Sequence, residues 1–185
     1  MTTRIRNWRD ADLEMVRTIT WETWVAAYSS FIPVEDLRAY FDAAYSTPAL
    51  RELLARPNVN GFVAEIGEET VVGYLKTHLE KDEGRFYVSS VYVLPSYQGM
   101  GIGGALMRAA EQRATEAGMR EIWLGVMVQN TPALEWYRRN GFTFVEEAPF
   151  TMGRTTVNHL IGYRRIGAAG GADGAAETQR RREMK

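Results

Sequence analysis

The apolar residues of the chain change period along its length. From about residue 11 to 28 they recur at helical spacing: Leu13, Val16, Ile19, Thr20 and Trp24 share one face of a predicted helix, and Asp10 is placed to cap it. The segment Ser29-Ser30-Phe31-Ile32-Pro33 breaks that helix, and two further helices are expected over 34–44 and 48–55. Pro57 and Asn58 close this part, which a short strand over 4–8 precedes. The period then shortens to two. Strands are expected over 61–66, 70–79 and 85–94, joined by turns at Gly67-Glu68-Glu69 and at Lys81 to Gly84. A helix over 101–117 carries Ile102, Leu106, Ala109 and Ala110 on one face, with Gly118 suited to its C-terminal cap. An apolar strand over 121–128 follows. Thr131 is the expected cap of a short helix with Pro132 at its first position, and Gly141 ends it. Residues 142–148 and 155–166 read as a final pair of strands. The resulting fold class is α/β, with helices flanking a sheet and no internal repeat.

Composition narrows the function. A chain of 185 residues with 45% hydrophobic and 24% charged residues fits one domain, here 1–166. Residues 167–185 are glycine- and alanine-rich, end near Arg180 to Arg182, and are expected to be a disordered tail. A net charge of -1 argues against a nucleic-acid partner. There are no cysteines and only two histidines, His78 and His159, so thiolate chemistry and a three-histidine zinc site are excluded and no metal is expected. No run approaches the roughly 20 apolar residues of a membrane span, and no signal peptide is evident, so the expected location is cytoplasmic.

The chemistry concentrates in Leu94 to Leu106, LPSYQGMGIGGAL. Gly99, Gly101 and Gly104 spell the dinucleotide fingerprint G-x-G-x-x-G, yet its context is missing. Four residues separate the strand from Gly99, the next strand ends at Gln129 and Asn130 and not at an acid, and no further βα units follow. No Lys-Ser or Lys-Thr follows Gly104, so a P-loop is excluded too. The phosphate logic survives: glycines let several N–H groups converge, and the helix behind them adds its unpaired N–H groups and the positive end of its dipole.

Two segments carry a family resemblance. VYVLPSYQGMGIGGAL resembles motif A of the GCN5-related N-acetyltransferases, Q/R-x-x-G-x-G/A, through Gln98, Gly101 and Gly103. VQNTPALEWYRRNGF resembles motif B through Asn130, Ala133, Trp136-Tyr137 and Gly141-Phe142. The resemblance implies the fold of that family, a mixed, mostly antiparallel sheet with a β-α-β core that binds acetyl-CoA. It also implies residue roles. Backbone N–H groups from Gln98 through Gly99, Met100, Gly101 and Ile102 to Gly103 would cradle the pyrophosphate. The strand edge at Val91 and Val93 would pair with the pantetheine arm, which Asn130 and Ala133 would flank. Tyr137 would touch the sulfur and protonate the departing thiolate.

Many members of that family carry a glutamate in the strand before the loop; here it reads YVSSVYV, with Tyr87, Ser89 and Ser90 in its place. A water on Ser89 or Ser90, or His78, stands as the alternative base. Within the family, ETWVAAY, LRAYFDAAY and PFTMG resemble the PaiA-type polyamine acetyltransferases. That likeness implies a small amine acceptor, a polyamine first, near Trp24, Tyr28 and Ser89, with Glu35, Asp36, Tyr40 and Asp42 available to a cation. A protein N-terminus or lysine, or a non-catalytic acyl-CoA module, remain alternatives, and a homodimer is left open.

Overall fold

A computed structural model describes residues 2–67 and 69–167. Glu68 of the expected turn and 168–185 of the expected tail lie outside the described residues. The elements are β1 (Thr3–Asn7), α1 (Leu13–Tyr28), α2 (Val34–Ala44), α3 (Thr47–Leu54), β2 (Val59–Ile66), β3 (Thr70–Glu80), β4 (Arg85–Val93), α4 (Ile102–Glu116), β5 (Glu121–Met127), α5 (Thr131–Arg139), β6 (Thr143–Met152) and β7 (Thr155–Arg165). The seven strands form one sheet in the order β1-β2-β3-β4-β5-β7-β6. Every pairing is antiparallel except β4 with β5, which the crossover through α4 makes parallel.

Alternation along the central strands gives the sheet two apolar faces. Leu75, Phe86, Val88, Ile122, Leu124 and Val126 pack beneath α4 and α5 with Leu106, Ala110 and Leu134. On the opposite face Val63, Tyr74 and Met127 pack beneath α1–α3 with Leu13, Ile19, Trp24, Leu37 and Phe41. Fully burying one such side chain contributes about 1.5–3 kcal/mol, so the sheet is held between two apolar layers.

Two helix starts differ from the sequence reading. A 3-10 turn at Asp10–Asp12 precedes α1, and Asp12, not Asp10, closes it by accepting the Arg9 N–H at 2.6 Å. Asp12 also takes Arg6 Nη1 at 2.7 Å, in a network that Glu65 completes, while Asp10 pairs with Arg51 at the surface. At α5 the cap is Asn130, whose Oδ1 accepts the Ala133 N–H at 3.4 Å, and Thr131 is the first helical residue.

Candidate active site

β4 and β5 are neighbours over very little of their length. Their register pairs are Phe86 with Ile122 and Tyr87 with Trp123, at the start of both strands. Beyond these the strands part, and among the described residues β4 from Val88 to Val93 has no strand partner on its β5 side. A β-bulge sits where the parting begins: on β3, Thr77 is opposite Val88 and Lys76 is opposite Ser90, so Ser89 is the extra residue. The bulge moves the alternation by one. Phe86 and Val88 face α4, and so do Val91 and Val93, while Ser90 and Tyr92 face α1. Ser89 is exposed, with its Oγ donating to the Lys76 carbonyl at 3.3 Å. Ser90 is buried and shares a 3.0 Å hydrogen bond with the Tyr45 hydroxyl.

The glycine loop lies at the far end of this gap. Gly99 and Gly101 have φ of 79° and 78°, the left-handed region that glycine enters without strain. Gly101 is the residue that opens α4, and no side chain caps it. The first N–H groups of α4, at Ile102, Gly103 and Gly104, have no acceptor within the helix by its geometry. A Cβ added at Gly99 or Gly101 would meet nothing within 4 Å, so both line open space. One expectation is corrected here. The Gln98 N–H is taken by the Pro95 carbonyl at 3.3 Å, and the Gln98 side chain donates to the Val93 carbonyl at 3.0 Å. Gln98 therefore fastens the loop to β4, and the free N–H groups begin after it. The Met100 side chain is exposed, whereas the Ile102 side chain is buried in the core, which leaves only its N–H facing the loop.

Tyr137 and Tyr28 lie in the two layers on opposite faces of the sheet. Tyr137 belongs to the layer under α4 and α5, edge-on to Trp136 and Phe142. Tyr28 belongs to the layer under α1. The sheet separates these layers, yet Tyr28 acts on Tyr137: burial first, and the Tyr28 phenol second, push the Tyr137 pKa upward. Tyr28 itself is raised by burial first, and its polar neighbours Tyr92 and Asn130 lower it. Asn130, whose side chain caps α5, is the neighbour of Tyr28 from the α5 side of the sheet. Ala133 is half-buried on the first turn of α5.

On the α1 side of the sheet the aromatic rings form one packed cluster. Trp24 lies 5.1–6.4 Å from the rings of Tyr28, Tyr40, Phe41, Tyr45 and Tyr92, and at 3% exposure it is a core residue whose indole N–H has no partner. Lys76 Nζ is 5.2 Å from the Tyr45 ring. His78 stacks on Tyr87 and lies 3.1 Å from Glu80; burial lowers its pKa and Glu80 opposes that.

The acids expected to serve a cation do not gather here. Asp36 is buried against the β6–β7 turn, where it accepts the Thr155 hydroxyl at 2.6 Å and the Arg154 N–H at 3.1 Å. A Cβ at Gly153 would fall 2.6 Å from its Oδ1, so the turn closes directly on this carboxylate. Asp36 therefore ties α2 to the hairpin. Glu35 and Asp42 are exposed on α2. Among the described residues no cluster of three or more His, Cys, Asp or Glu is placed to hold a metal, and no helix is long and apolar enough to cross a membrane.

A helix start rich in free N–H groups, a parted pair of parallel strands and a buried phenol at the gap are what a coenzyme A thioester needs. Residues 14–142 match the model of the acetyltransferase (GNAT) family, and the chain belongs to that family. It is an acetyl-CoA-dependent N-acetyltransferase. An N-alpha-acetyltransferase of Sulfurisphaera tokodaii is 30% identical over 77% of this chain and 81% of its own length. A spermidine N(1)-acetyltransferase of Thermoplasma acidophilum is 25% identical over 77% of this chain and 89% of its own. The crystal structure of the PaiA N-acetyltransferase of Thermoplasma acidophilum in complex with coenzyme A shares the fold. Its TM-score is 0.78 at 21% identity, over 90% of this chain and all of that one.

Proposed function

We propose that the gap between β4 and β5 is the catalytic site and that it acetylates a primary amine presented from the α1–α2 side. The observation that carries this reading is the parting of the two strands: among the described residues β4 and β5 pair only at Phe86 with Ile122 and Tyr87 with Trp123, and the open glycine loop with the uncapped start of α4 follows the free part of β4. When bound, acetyl-CoA supplies an acetyl group activated as a thioester. The N–H groups from Gly99 to Gly104 hold the pyrophosphate by converging dipoles, since the loop carries no lysine or arginine. The unpaired edge of β4, at Val91 and Val93, hydrogen-bonds the pantetheine amides as an added strand would. Free N–H groups at the same edge, next to the bulge, face the thioester oxygen as it gathers charge. Asn130 orients the arm from the other wall. Tyr137 keeps its proton well above the ordinary phenol range, so it is a donor to the leaving sulfur throughout the neutral and mildly alkaline range.

Two acceptor classes fit a primary amine. A polyamine is the one expected from the sequence, and the spermidine-acetylating relative supports it. An α-amine at a polypeptide N-terminus is the second. The 30% identical N-alpha-acetyltransferase favours it, as does the use of Asp36 inside the fold. A cytoplasmic location and a small-molecule partner belong to the first reading. The test is a side-by-side assay of spermidine, a monoamine of matched length and short peptides, following thiol release. Acetylation of none of them would remove the reading; the order among them assigns the acceptor.

A further inference from the structure

His159 has no task in the fold that explains where it sits. It lies on β7, opposite Met127 of β5 and Ala148 of β6. Leu160 beside it packs toward α4, so the His159 ring projects to the α1 face. There it leans off its own strand and over β5: a Cβ at Gly125 would fall 2.5 Å from its Cδ2 and 3.1 Å from its Nε2. Glycine in the middle of β5 is thus the residue that admits the ring, the close approach that a strand glycine marks. Phe150 fixes the ring edge-on at 5.7 Å and in turn touches Tyr40 of α2. Gly125 is two residues beyond Trp123, the last β5 residue paired with β4. Counting equally along β4 from Tyr87 reaches Ser89, so the imidazole hangs at the level where the strands begin to part.

The two ring nitrogens differ. Nδ1 is enclosed and has no hydrogen-bond partner. Among the described residues Nε2 bonds to no protein group either. An enclosed N–H without an acceptor is the rarer orphan in native proteins, so the ring proton belongs on Nε2. Nε2–H is then a donor at the acceptor side of the gap with nothing in the protein to receive it. Its neighbours Gly125, Met127, Ala148 and Phe150 carry no charge and no side-chain oxygen.

We infer that His159 is a specificity-determining residue whose Nε2–H binds an oxygen of the acceptor, a carbonyl next to the reacting amine, as in an amino-acid amide or the first residue of a polypeptide. The inference rests on the acceptor entering the β4–β5 gap from the α1 side, as proposed above. A simple alkyl polyamine offers no such oxygen. A site that binds a substrate oxygen disfavours the analogue lacking it, because the donor is then left unpaired. Two probes isolate the contact: glycinamide, which has the carbonyl, and propylamine, which lacks it.

The experiment compares the ratio of their kcat/KM values in the wild type with that in His159→Phe, which keeps a ring and removes both nitrogens. The basicity of each amine is the same in both proteins and cancels. The expected result is a fall of at least tenfold in the glycinamide-to-propylamine ratio, with His159→Gln, which retains a donor, in between. Calorimetry on the enzyme–coenzyme A complex should show weaker glycinamide binding and unchanged coenzyme A affinity. Gly125→Ala, whose methyl displaces the ring, should repeat the loss if His159→Phe folds poorly. An equal loss on both amines, or an unchanged ratio, overturns the inference. Loss of coenzyme A binding in the wild-type site would instead remove the reading beneath it, and calorimetry separates the two.

Discussion

Gly101 opens α4 with a φ of 78°, and Gly118 follows the same helix with a φ of 74°. A Cβ at either position meets nothing within 4 Å. Alanine at either glycine therefore incurs the same backbone penalty and no clash. That penalty is about 1–2 kcal/mol for an L-residue in the left-handed region. At about 2–4 °C per kcal/mol for a chain of this size, each variant should lose about 2–8 °C in Tm. Only Gly101 borders the proposed phosphate cradle. To the extent that the free loop relaxes out of its left-handed conformation, the penalty moves from Tm to the binding step, where it weakens acetyl-CoA binding by up to roughly 5- to 30-fold. The methyl group, placed in the open side of the loop, adds to that loss, and Gly101→Val should exceed it. The assay pairs thermal melts with calorimetric titration of coenzyme A for Gly101→Ala and Gly118→Ala. Equal affinity in the two variants would refute the assignment of the cradle, whatever their stabilities.

Tyr137→Phe retains the ring contacts with Trp136 and Phe142 and removes the proton, so single-turnover kcat should fall about 10- to 1,000-fold with little change in coenzyme A affinity. Because burial and Tyr28 raise its pKa, the wild-type rate should show no loss between pH 7 and 9 from Tyr137 ionising; a descending limb there that vanishes in Tyr137→Phe would contradict the donor role. Asp36 is held below the ordinary carboxylate range, by the Thr155 hydroxyl first and the Arg154 N–H second, so its contribution to stability is present above that range and lost as pH falls through the lowered value. Asp36→Asn should lower Tm at pH 7, and the difference from wild type should shrink on acidification; an unchanged melt at pH 7 would remove its role as the tie to the hairpin. With Asp36 so occupied, spermidine should exceed a matched monoamine by less than about tenfold in kcat/KM, the factor that one retained charge-assisted contact would bring. A larger advantage that salt abolishes would assign the acceptor as a polyamine.

The order of elements was legible because its signals are local. Period changes, breakers such as Pro33 and Pro57, and the capping glycine at 118 act within a few residues. The motif spacing likewise singled out the loop and Tyr137 as candidates without tertiary information. What escaped depends on contacts across the chain. YVSSVYV reads equally well as an unbroken alternation, and only the pairing with β3 reveals that Ser89 is extra. The parting of β4 and β5 is an absence of hydrogen bonds, which no residue type announces. Asn130 and Thr131 are adjacent and both competent caps, so the choice fell to the bend of the chain leaving β5. Asp36 resembles any acid on an amphipathic helix until a turn 118 residues away closes on it. For His159 one signal was present, the glycine in the middle of an otherwise apolar β5, although the ring that uses the space comes from β7.

The central claim is that main-chain N–H groups of the glycine loop and of the free β4 edge hold coenzyme A, and residue-resolved amide hydrogen exchange with and without saturating coenzyme A tests it most directly. The account predicts slowed exchange confined to Gly99–Gly104 and to the β4 edge at Val91 and Val93. The Gln98 amide, already bonded to Pro95, and the β1–β2 pairing should be unchanged. Binding without protection of the loop, or protection centred on another part of the sheet, would contradict the account.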